Sequence, residues 1–369
     1  MTERQSARGP LDLPALQQWL ASNDSPIKPP IHAQLITGGF SNLTYRIEDA
    51  IGQCFVLRRP PLGRSHPRAH DVAREHRILS ALGSTNVPVP KVVCLVQNLE
   101  VIGAPFYVMR WVAGTVIDTP ATAEKALATS ELRHRAAQGL VDGLAVLHSL
   151  NIDTSPLTDL GPHDEYLVRQ IEHLRKTWER NKTRELPIVT ALAQQLLANR
   201  PPQTHTGLVH SDYRFGNTII DADGRLAAVL DWELCAIGDV LVDLGLLVNN
   251  WDEPDDASPG VWMQEAPTRI GGFPTRAQIV ERYARQTGFE IHDLDYYRAF
   301  GYWKICIIAE GIKRRYQSGV MAEGQVDLEQ VERRILGRAA LAEHFFNRWT
   351  AGNATAARCQ PAQRPPSII

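Results

Sequence analysis

The residues best suited to chemistry lie between Leu208 and Glu233. The stretch Leu208-Val209-His210-Ser211-Asp212-Tyr213-Arg214-Phe215-Gly216-Asn217 puts an acid and an amide five residues apart on one short loop. An apolar run from Leu226 to Leu230 follows and ends on Asp231-Trp232-Glu233. Passing a phosphoryl group to a hydroxyl needs a carboxylate to orient the incoming oxygen and ligands for a Mg²⁺ ion on the phosphates. That cation is hard and prefers oxygen ligands, which Asp and Asn side chains supply. Asp212, Asn217 and Asp231 are thus the candidates for this chemistry. Singly, each has an ordinary explanation: a loop Asp is usually a solvated turn residue, and an Asn-Thr pair often caps a helix. Their order, with an apolar strand to bring Asp231 beside the loop, is what gives them weight.

The elements that must position these residues fall into two parts. Residues 1–29 read as a polar start and a short helix over 13–20, stopped by Asn23-Asp24-Ser25-Pro26. Residues 30–112 are strand-like, with short β-rich runs at 43–47, 54–58, 92–96 and 105–112 between turn residues, which predicts an antiparallel sheet. One helix is predicted within this part, over 70–82, with Val72, His76, Leu79 and Leu82 on one face. Residues 113–350 are mostly helical. Leu140, Leu144 and Leu147 mark an amphipathic helix over 131–150, a charged helix follows over 163–182, and helix returns over 276–350. Residues 351–369, rich in Ala, Gln, Arg and Pro, read as a disordered tail. The fold class is α+β, with a small β-rich lobe followed by a larger helical one.

Composition narrows the partners. The 369 residues are 44% hydrophobic and 22% charged with a net charge of −2, which is an ordinary enzyme-like balance with no basic field for nucleic acid or an acidic membrane. Five scattered cysteines with no Cys-x-x-Cys pair fit a reducing compartment better than a disulfide framework or a zinc site. No apolar leader core and no membrane-length apolar run is seen, so the expectation is a soluble, cytoplasmic chain.

His-x-Asp, an Asn five residues after that Asp, and a strand ending in Asp is the order of the kinase catalytic set. The chain resembles the aminoglycoside phosphotransferase and choline kinase superfamily over about residues 30–345. Within it, the branch found fused to, or encoded near, acyl-CoA dehydrogenases is the one it resembles most. The resemblance implies a protein-kinase-like two-lobed fold, with ATP and Mg²⁺ as cofactors. It makes Asp212 the base or orienting carboxylate for the acceptor hydroxyl, Asn217 and Asp231 the Mg²⁺ ligands, and His210 a residue that holds the loop in shape. Gly238-Asp239-Val240-Leu241-Val242-Asp243-Leu244 resembles the family's Gly-Asp-Pro-x-x-Asp-Leu segment, with Val240 in place of Pro. Asp239 is expected to cap the following helix and Asp243 to bond the catalytic-loop backbone, both as structural supports.

The same resemblance places a phosphate-covering hairpin at Thr37-Gly38-Gly39-Phe40-Ser41-Asn42, with Gly38 and Gly39 admitting the backbone close to phosphate and Ser41 and Asn42 as donors. Arg58 stands where protein kinases carry a phosphate-binding Lys, and Glu75 is its expected partner. Arg59 points to the other face of the strand. Met109, Arg110 and Val112 fall on the expected adenine hinge. On the acceptor side, the acidic loop Trp251-Asp252-Glu253-Pro254-Asp255-Asp256 and the helix bearing Tyr302, Trp303 and Lys304 are the candidates. A hydroxylated acyl compound or other small metabolite is favoured as the hydroxyl acceptor. The alternatives are an aminoglycoside or macrolide antibiotic, a non-catalytic nucleotide-binding module, and a chain labelled acyl-CoA dehydrogenase by association.

Overall fold

Strand periodicity decides how the first lobe is layered. In β3 (Cys54–Arg59) successive side chains point to opposite faces of the sheet. Phe55 and Leu57 join Leu16 and Leu20 of α1 (Leu13–Ser22) in one apolar cluster. Val56 goes to the other face and packs with Val72, Ile78 and Leu79 of α2 (Val72–Leu82). Arg58 has the same parity as Val56, so the alternation alone turns it towards α2. The computed structural model from which this is drawn describes residues 11–36, 42–62, 71–256, 265–318 and 327–359.

The sheet is antiparallel throughout, in the order β1 (His32–Ile36), β2 (Leu43–Glu48), β3, β5 (Phe106–Arg110), β4 (Val92–Val96). Helix α2 starts on Asp71, whose side chain accepts the Arg74 N–H at 2.9 Å. Its buried stripe is Val72, Glu75, Ile78, Leu79 and Leu82. The sequence pattern puts His76 on that stripe. The structure puts Glu75 there instead, because an acid with a cationic partner across the gap can be buried.

The second lobe is built from α3 (Pro120–Ala126), α4 (Ser130–His148), α5 (Tyr166–Asn181), α6 (Pro187–Ala198), α7 (Leu241–Asn249), α8 (Arg276–Thr287), α9 (Leu294–Gln317) and α10 (Leu328–Cys359). Two short ribbons lie among them: β6 (Thr206–Val209) with β9 (Ala236–Asp239), and β7 (Thr218–Ile220) with β8 (Leu226–Val229). Helix α7 is buried along its whole length and crosses α9 closely. Gly245 permits this, since a Cβ there would stand 2.8 Å from the Tyr297 backbone. The lobes are tied by main chain. The Val229 N–H donates to the Pro88 carbonyl at 2.8 Å, and just past the boundary Thr115 and Ile220 exchange N–H···O bonds at 2.8 and 3.0 Å, which fixes the connecting segment to β7.

The predicted helices over 13–20, 70–82, 131–150 and 163–182 are present with ends shifted by a few residues. The tail expectation needs correction. Helix α10 runs to Cys359, past the boundary at 350, because Ala-rich sequence is intrinsically helix-favouring. Residues 360–369 lie outside the described set. Strand β9, which is only Ala-Ile-Gly-Asp, and helices α3 and α6, each opened by a lone proline, carry no individual expectation.

Candidate active site

Strand β6 delivers the chain, with Leu208 and Val209 fully buried, into the loop at His210. Two successive backbone N–H groups there, of His210 and Ser211, donate to the Asp243 carboxylate at 2.6 and 2.7 Å. Behind Asp243 stands His148, with Nε2 at 3.3 Å, and behind His148 the Tyr283 hydroxyl at 2.7 Å from Nδ1. Burial alone would raise the Asp243 carboxyl, but its bonds to His148 and the neighbouring His210 hold it below the usual carboxylate range. Asp243 thus bonds the backbone of the loop that carries Asp212, the contact that the resemblance implies.

A carboxyl depressed in the folded state takes up its proton later than in the unfolded chain. Its stabilisation is complete above the ordinary value of 3.8 and is lost as the pH falls through the lower folded value. Asp243→Ala leaves two buried N–H donors without an acceptor and is expected to cost about 3 kcal/mol or more. Denaturant unfolding at neutral pH measures that loss. The same experiment repeated from pH 5 downward should show a shallower acid decline in Asp243→Asn than in the unaltered chain.

Ser211 occupies the left-handed region at φ 72°, which is uncommon for a residue with a Cβ. Its hydroxyl lies 3.2 Å from the Tyr166 hydroxyl, and its carbonyl accepts from Lys304 Nζ at 2.9 Å. The next residue is Asp212, whose N–H donates to His210 Nδ1 at 3.3 Å. Asn217 Nδ2 donates to both the Asp212 carbonyl and its Oδ2, at 2.8 and 2.6 Å. That leaves Asn217 Oδ1 turned away from Asp212. Arg214 Nε lies 3.5 Å from Asp212 Oδ1, and a Cβ on Gly216 would sit 2.1 Å from Arg214 Nη1, so glycine makes room for the guanidinium. The Asp212 side chain is 19% exposed. Burial pushes its carboxyl above the usual range, against the opposing pull of Arg214, His210, Lys304 and Asn217, which makes it a better proton acceptor.

Asp231 arrives by β8. Its neighbour Leu230 is clamped on both sides, with its N–H on the Asn217 carbonyl at 2.8 Å and its carbonyl on His210 Nε2 at 2.8 Å. This is how the segment of Asp212 and the segment of Asp231 keep register, and it gives His210 a structural task. Asp231 then takes φ 64° and keeps a side chain 37% exposed. Of the four described non-glycine residues with positive φ, two are Ser211 and Asp231. Such strain gathers where the surrounding structure dictates a functional geometry.

Across the gap, Arg58 reaches Glu75 Oε1 at 2.9 Å and Asp231 Oδ1 at 3.3 Å, with only 11% of its side chain exposed. Burial works against its charge, yet Glu75, with Tyr107 and Asp231, raises its pKa above the ordinary guanidinium value. The Arg58–Glu75 pair is therefore formed. Arg74 fixes α2 to the segment after Asp231 by donating to the Glu233 carbonyl at 3.3 Å and to the Cys235 carbonyl. Arg59 is buried on the opposite face beside the Tyr45 hydroxyl at 3.3 Å. Asp239 accepts the Leu241 N–H at 3.2 Å, at the first residue of α7, and the Tyr297 hydroxyl at 2.7 Å.

Gly38, Gly39 and Ser41 lie outside the described residues; Asn42 is buried at the entry to β2. On the hinge, Met109 is buried in the sheet. The Arg110 side chain turns to Gln53 at 2.5 Å and over the Phe55 ring, on the face away from α2. Sheet bonds take the Arg110 and Trp111 N–H groups, so the chain leaves the sheet at Val112.

The acceptor-side expectations change most. Asp252 is buried and accepts the Ala266 N–H at 3.0 Å, while Glu253 and Asp256 both pair with Arg276. The loop's acids are thus largely committed to holding the loop itself. Trp303 does not line a cleft: it is buried with Nε1 on the Val189 carbonyl at 2.9 Å. Tyr302 stacks on Phe345 with centroids 5.6 Å apart. Lys304 points under the catalytic loop. The aromatic spacing marked core, as it usually does on a helix. Arg214 carries no expectation although it stands within the motif, and the signal for Lys304 is a cation set directly between Trp303 and Ile305 on a buried helix.

Among the described residues no group of three or more His, Cys, Asp or Glu is arranged to hold a metal alone. A Mg²⁺ ion that is also held by phosphates needs only one or two protein carboxylates. Asp231 and the outward Asn217 Oδ1 fit that need, and Arg58 adds a cation beside them. Together with Asp212 they can hold a polyphosphate and receive a proton in one place.

The profile of the phosphotransferase enzyme family matches residues 32–288. Human acyl-CoA dehydrogenase family member 11 is 31% identical over 285 residues, covering 76% of this chain and 36% of that one. Mouse acyl-CoA dehydrogenase family member 10 is 30% identical over 283 residues, covering 76% of this chain and 26% of that one. The chain therefore spans between a quarter and two fifths of the length of these curated relatives. A Ralstonia eutropha crystal structure, provisionally described as an aminoglycoside phosphotransferase, superposes with a TM-score of 0.77 at 27% identity, over 92% of this chain and 99% of that one. A complex of aminoglycoside phosphotransferase APH(4)-Ia with AMP-PNP and hygromycin B shares the fold at a TM-score of 0.54 and 15% identity, over 90% of this chain and 98% of that one. The fold is kinase-like, and the chain belongs to the phosphotransferase enzyme family.

Proposed function

We propose that this chain transfers the γ-phosphoryl group of ATP, with Mg²⁺, to a hydroxyl of a small metabolite, and that a hydroxylated acyl compound is a better acceptor than an aminoglycoside. The observation that carries the reading is the single Leu230 residue held by both Asn217 and His210, which brings Asp231 and Arg58 to the loop of Asp212. When bound, Mg²⁺ neutralises charge on the β- and γ-phosphates and offsets the charge that develops in transfer. Asp231 and Asn217 Oδ1 would hold it. Arg58, kept in place by Glu75, faces the phosphates, and Val112 opens the hinge edge to adenine. Asp212 orients the acceptor hydroxyl and takes its proton, while the Asn217 amide keeps the carboxylate aimed.

AMP-PNP in the APH(4)-Ia complex supports the choice of ATP. Acceptor choice rests on the acidic loop. An aminoglycoside carries several ammonium groups and calls for several available carboxylates, whereas here Asp252, Glu253 and Asp256 are already engaged. The names of the curated relatives point to acyl-CoA metabolism. The test is a hydroxyl-acceptor panel, with hydroxyacyl-CoA and kanamycin-type compounds side by side, in Mg²⁺ and ATP. Mass spectrometry should show a phosphorylated product with the hydroxyacyl compound. Efficient phosphorylation of the aminoglycoside, lost when the acidic loop is neutralised, would overturn the acceptor preference. Absence of Mg²⁺-dependent ATP turnover with every acceptor would overturn the reading itself.

A further inference from the structure

The middle of α9 is an apolar environment, with Phe300, Trp303, Ile305, Cys306 and Ile307 all buried. Lys304 lies among them, 7% exposed. An ammonium taken out of water is costly unless it is bonded and its charge is balanced. Both conditions are met at one place. Nζ donates to the Ser211 carbonyl at 2.9 Å, and Asp212 and Asp243 stand near enough to oppose the fall in pKa that burial imposes on the amine.

What the bond fixes is a peptide plane. The Ser211 carbonyl and the Asp212 N–H belong to the same peptide unit, which is rigid and planar. Lys304 holds the carbonyl end at 2.9 Å and His210 Nδ1 holds the N–H end at 3.3 Å. On the other side of Ser211, its own N–H is held by Asp243 and its hydroxyl by Tyr166. This grip matters because Ser211 sits at φ 72°, where a residue with a Cβ is strained by about 1–2 kcal/mol. Without the grip at the carbonyl, the unit can rotate towards a relaxed conformation, and the Asp212 carboxylate turns with it.

We propose that Lys304 is a positioning residue for the transfer, its ammonium pinning the Ser211 carbonyl so that the left-handed turn aims Asp212 at the acceptor hydroxyl. The proposal rests on the phosphotransferase reading above. It needs no contact between Lys304 and either substrate, which agrees with its place beneath the loop. The long flexible stem suits this task, since it crosses the apolar layer and delivers a compact charge at its end.

The experiment uses the full chain and reads Mg²⁺-dependent ADP formation with water as the acceptor, so that no acceptor need be known. Lys304→Met is expected to lower kcat on the order of 10- to 100-fold, the scale of a misaimed catalytic group. ATP affinity by calorimetry should stay within about threefold, because the nucleotide residues are elsewhere. The distinguishing arm is Ser211→Gly in the Lys304→Met background. Glycine adopts φ 72° without strain, so the double variant should regain several-fold of the lost kcat. A lysine that only fills space would show no such rescue. If Lys304→Met does not fold, Lys304→Gln, whose neutral amide is one bond shorter and falls short of the Ser211 carbonyl, is measured with the same partner substitution. Unchanged kcat in the lysine variants, a parallel loss of ATP affinity, or no rescue by glycine each overturns the proposal. Where water supports no turnover, the same variants are read with the acceptor that the hydroxyl panel identifies; an unaltered chain without Mg²⁺-dependent turnover on water and on every panel acceptor overturns the phosphotransferase reading and this proposal with it, which separates the two failures.

Discussion

Asp212→Asn is expected to lower kcat on the order of 10²- to 10⁴-fold while ATP affinity stays within about threefold. The substitution is nearly isosteric. The new side-chain carbonyl can still accept from Asn217 Nδ2, and the backbone bonds from Asp212 to His210 and Asn217 do not involve the side chain that changes. What disappears is the proton acceptor and the negative charge beside Arg214. Steady-state kinetics paired with calorimetric titration of ATP separates these effects. A variant that turns over like the unaltered chain would show that Asp212 takes no proton. One that loses ATP affinity in step with kcat would show that it serves the nucleotide site instead.

The second large effect is expected at Asp231. Asp231→Ala should abolish turnover and remove the dependence of ATP binding on Mg²⁺, because one of only two protein ligands proposed for the ion is gone. Arg58 loses its 3.3 Å contact in this variant but keeps Glu75 at 2.9 Å, so the cation stays in place and some metal-free nucleotide binding should persist. Calorimetry with and without Mg²⁺ is the direct measurement. ATP affinity that still rises with Mg²⁺ in Asp231→Ala would contradict the assignment. Folding should be little affected, since the side chain is more than a third exposed.

Much of this site could be read from the order of residues because backbone chemistry imposes that order. Strand alternation turns Arg58 towards α2, and a short loop followed by an apolar strand must return Asp231 to the neighbourhood of Asn217. Asp243 was likewise legible, its carboxylate meeting the loop N–H groups. Side-chain partners far apart in sequence were harder to foresee. Nothing local in Asp252, Glu253 and Asp256 announces that Arg276 and a loop N–H will engage them. Trp303 and Lys304 are adjacent on one helix, and only tertiary packing decides that one enters the core beside α6 and the other bonds the Ser211 carbonyl under the loop of Asp212. Glu75 divides the two cases: the resemblance names it as the partner of Arg58, but helical spacing alone puts His76 on the buried face, because burial of the acid depends on that cation in another element.

The guanidinium at position 58 also bears on how the protein can be labelled. Acylating and sulfonylating nucleotide analogues tag kinases through a nucleophilic lysine amine beside the phosphates. Arg58 holds a delocalised cation that stays protonated at any working pH and is a poor nucleophile. The amine of Lys304 is sealed under the loop with its electron pair tied to a proton shared with the Ser211 carbonyl. Reagents of that type should therefore pass over this cleft in a proteome-wide profile, and a silent result with them would carry no information about whether the chain binds nucleotide.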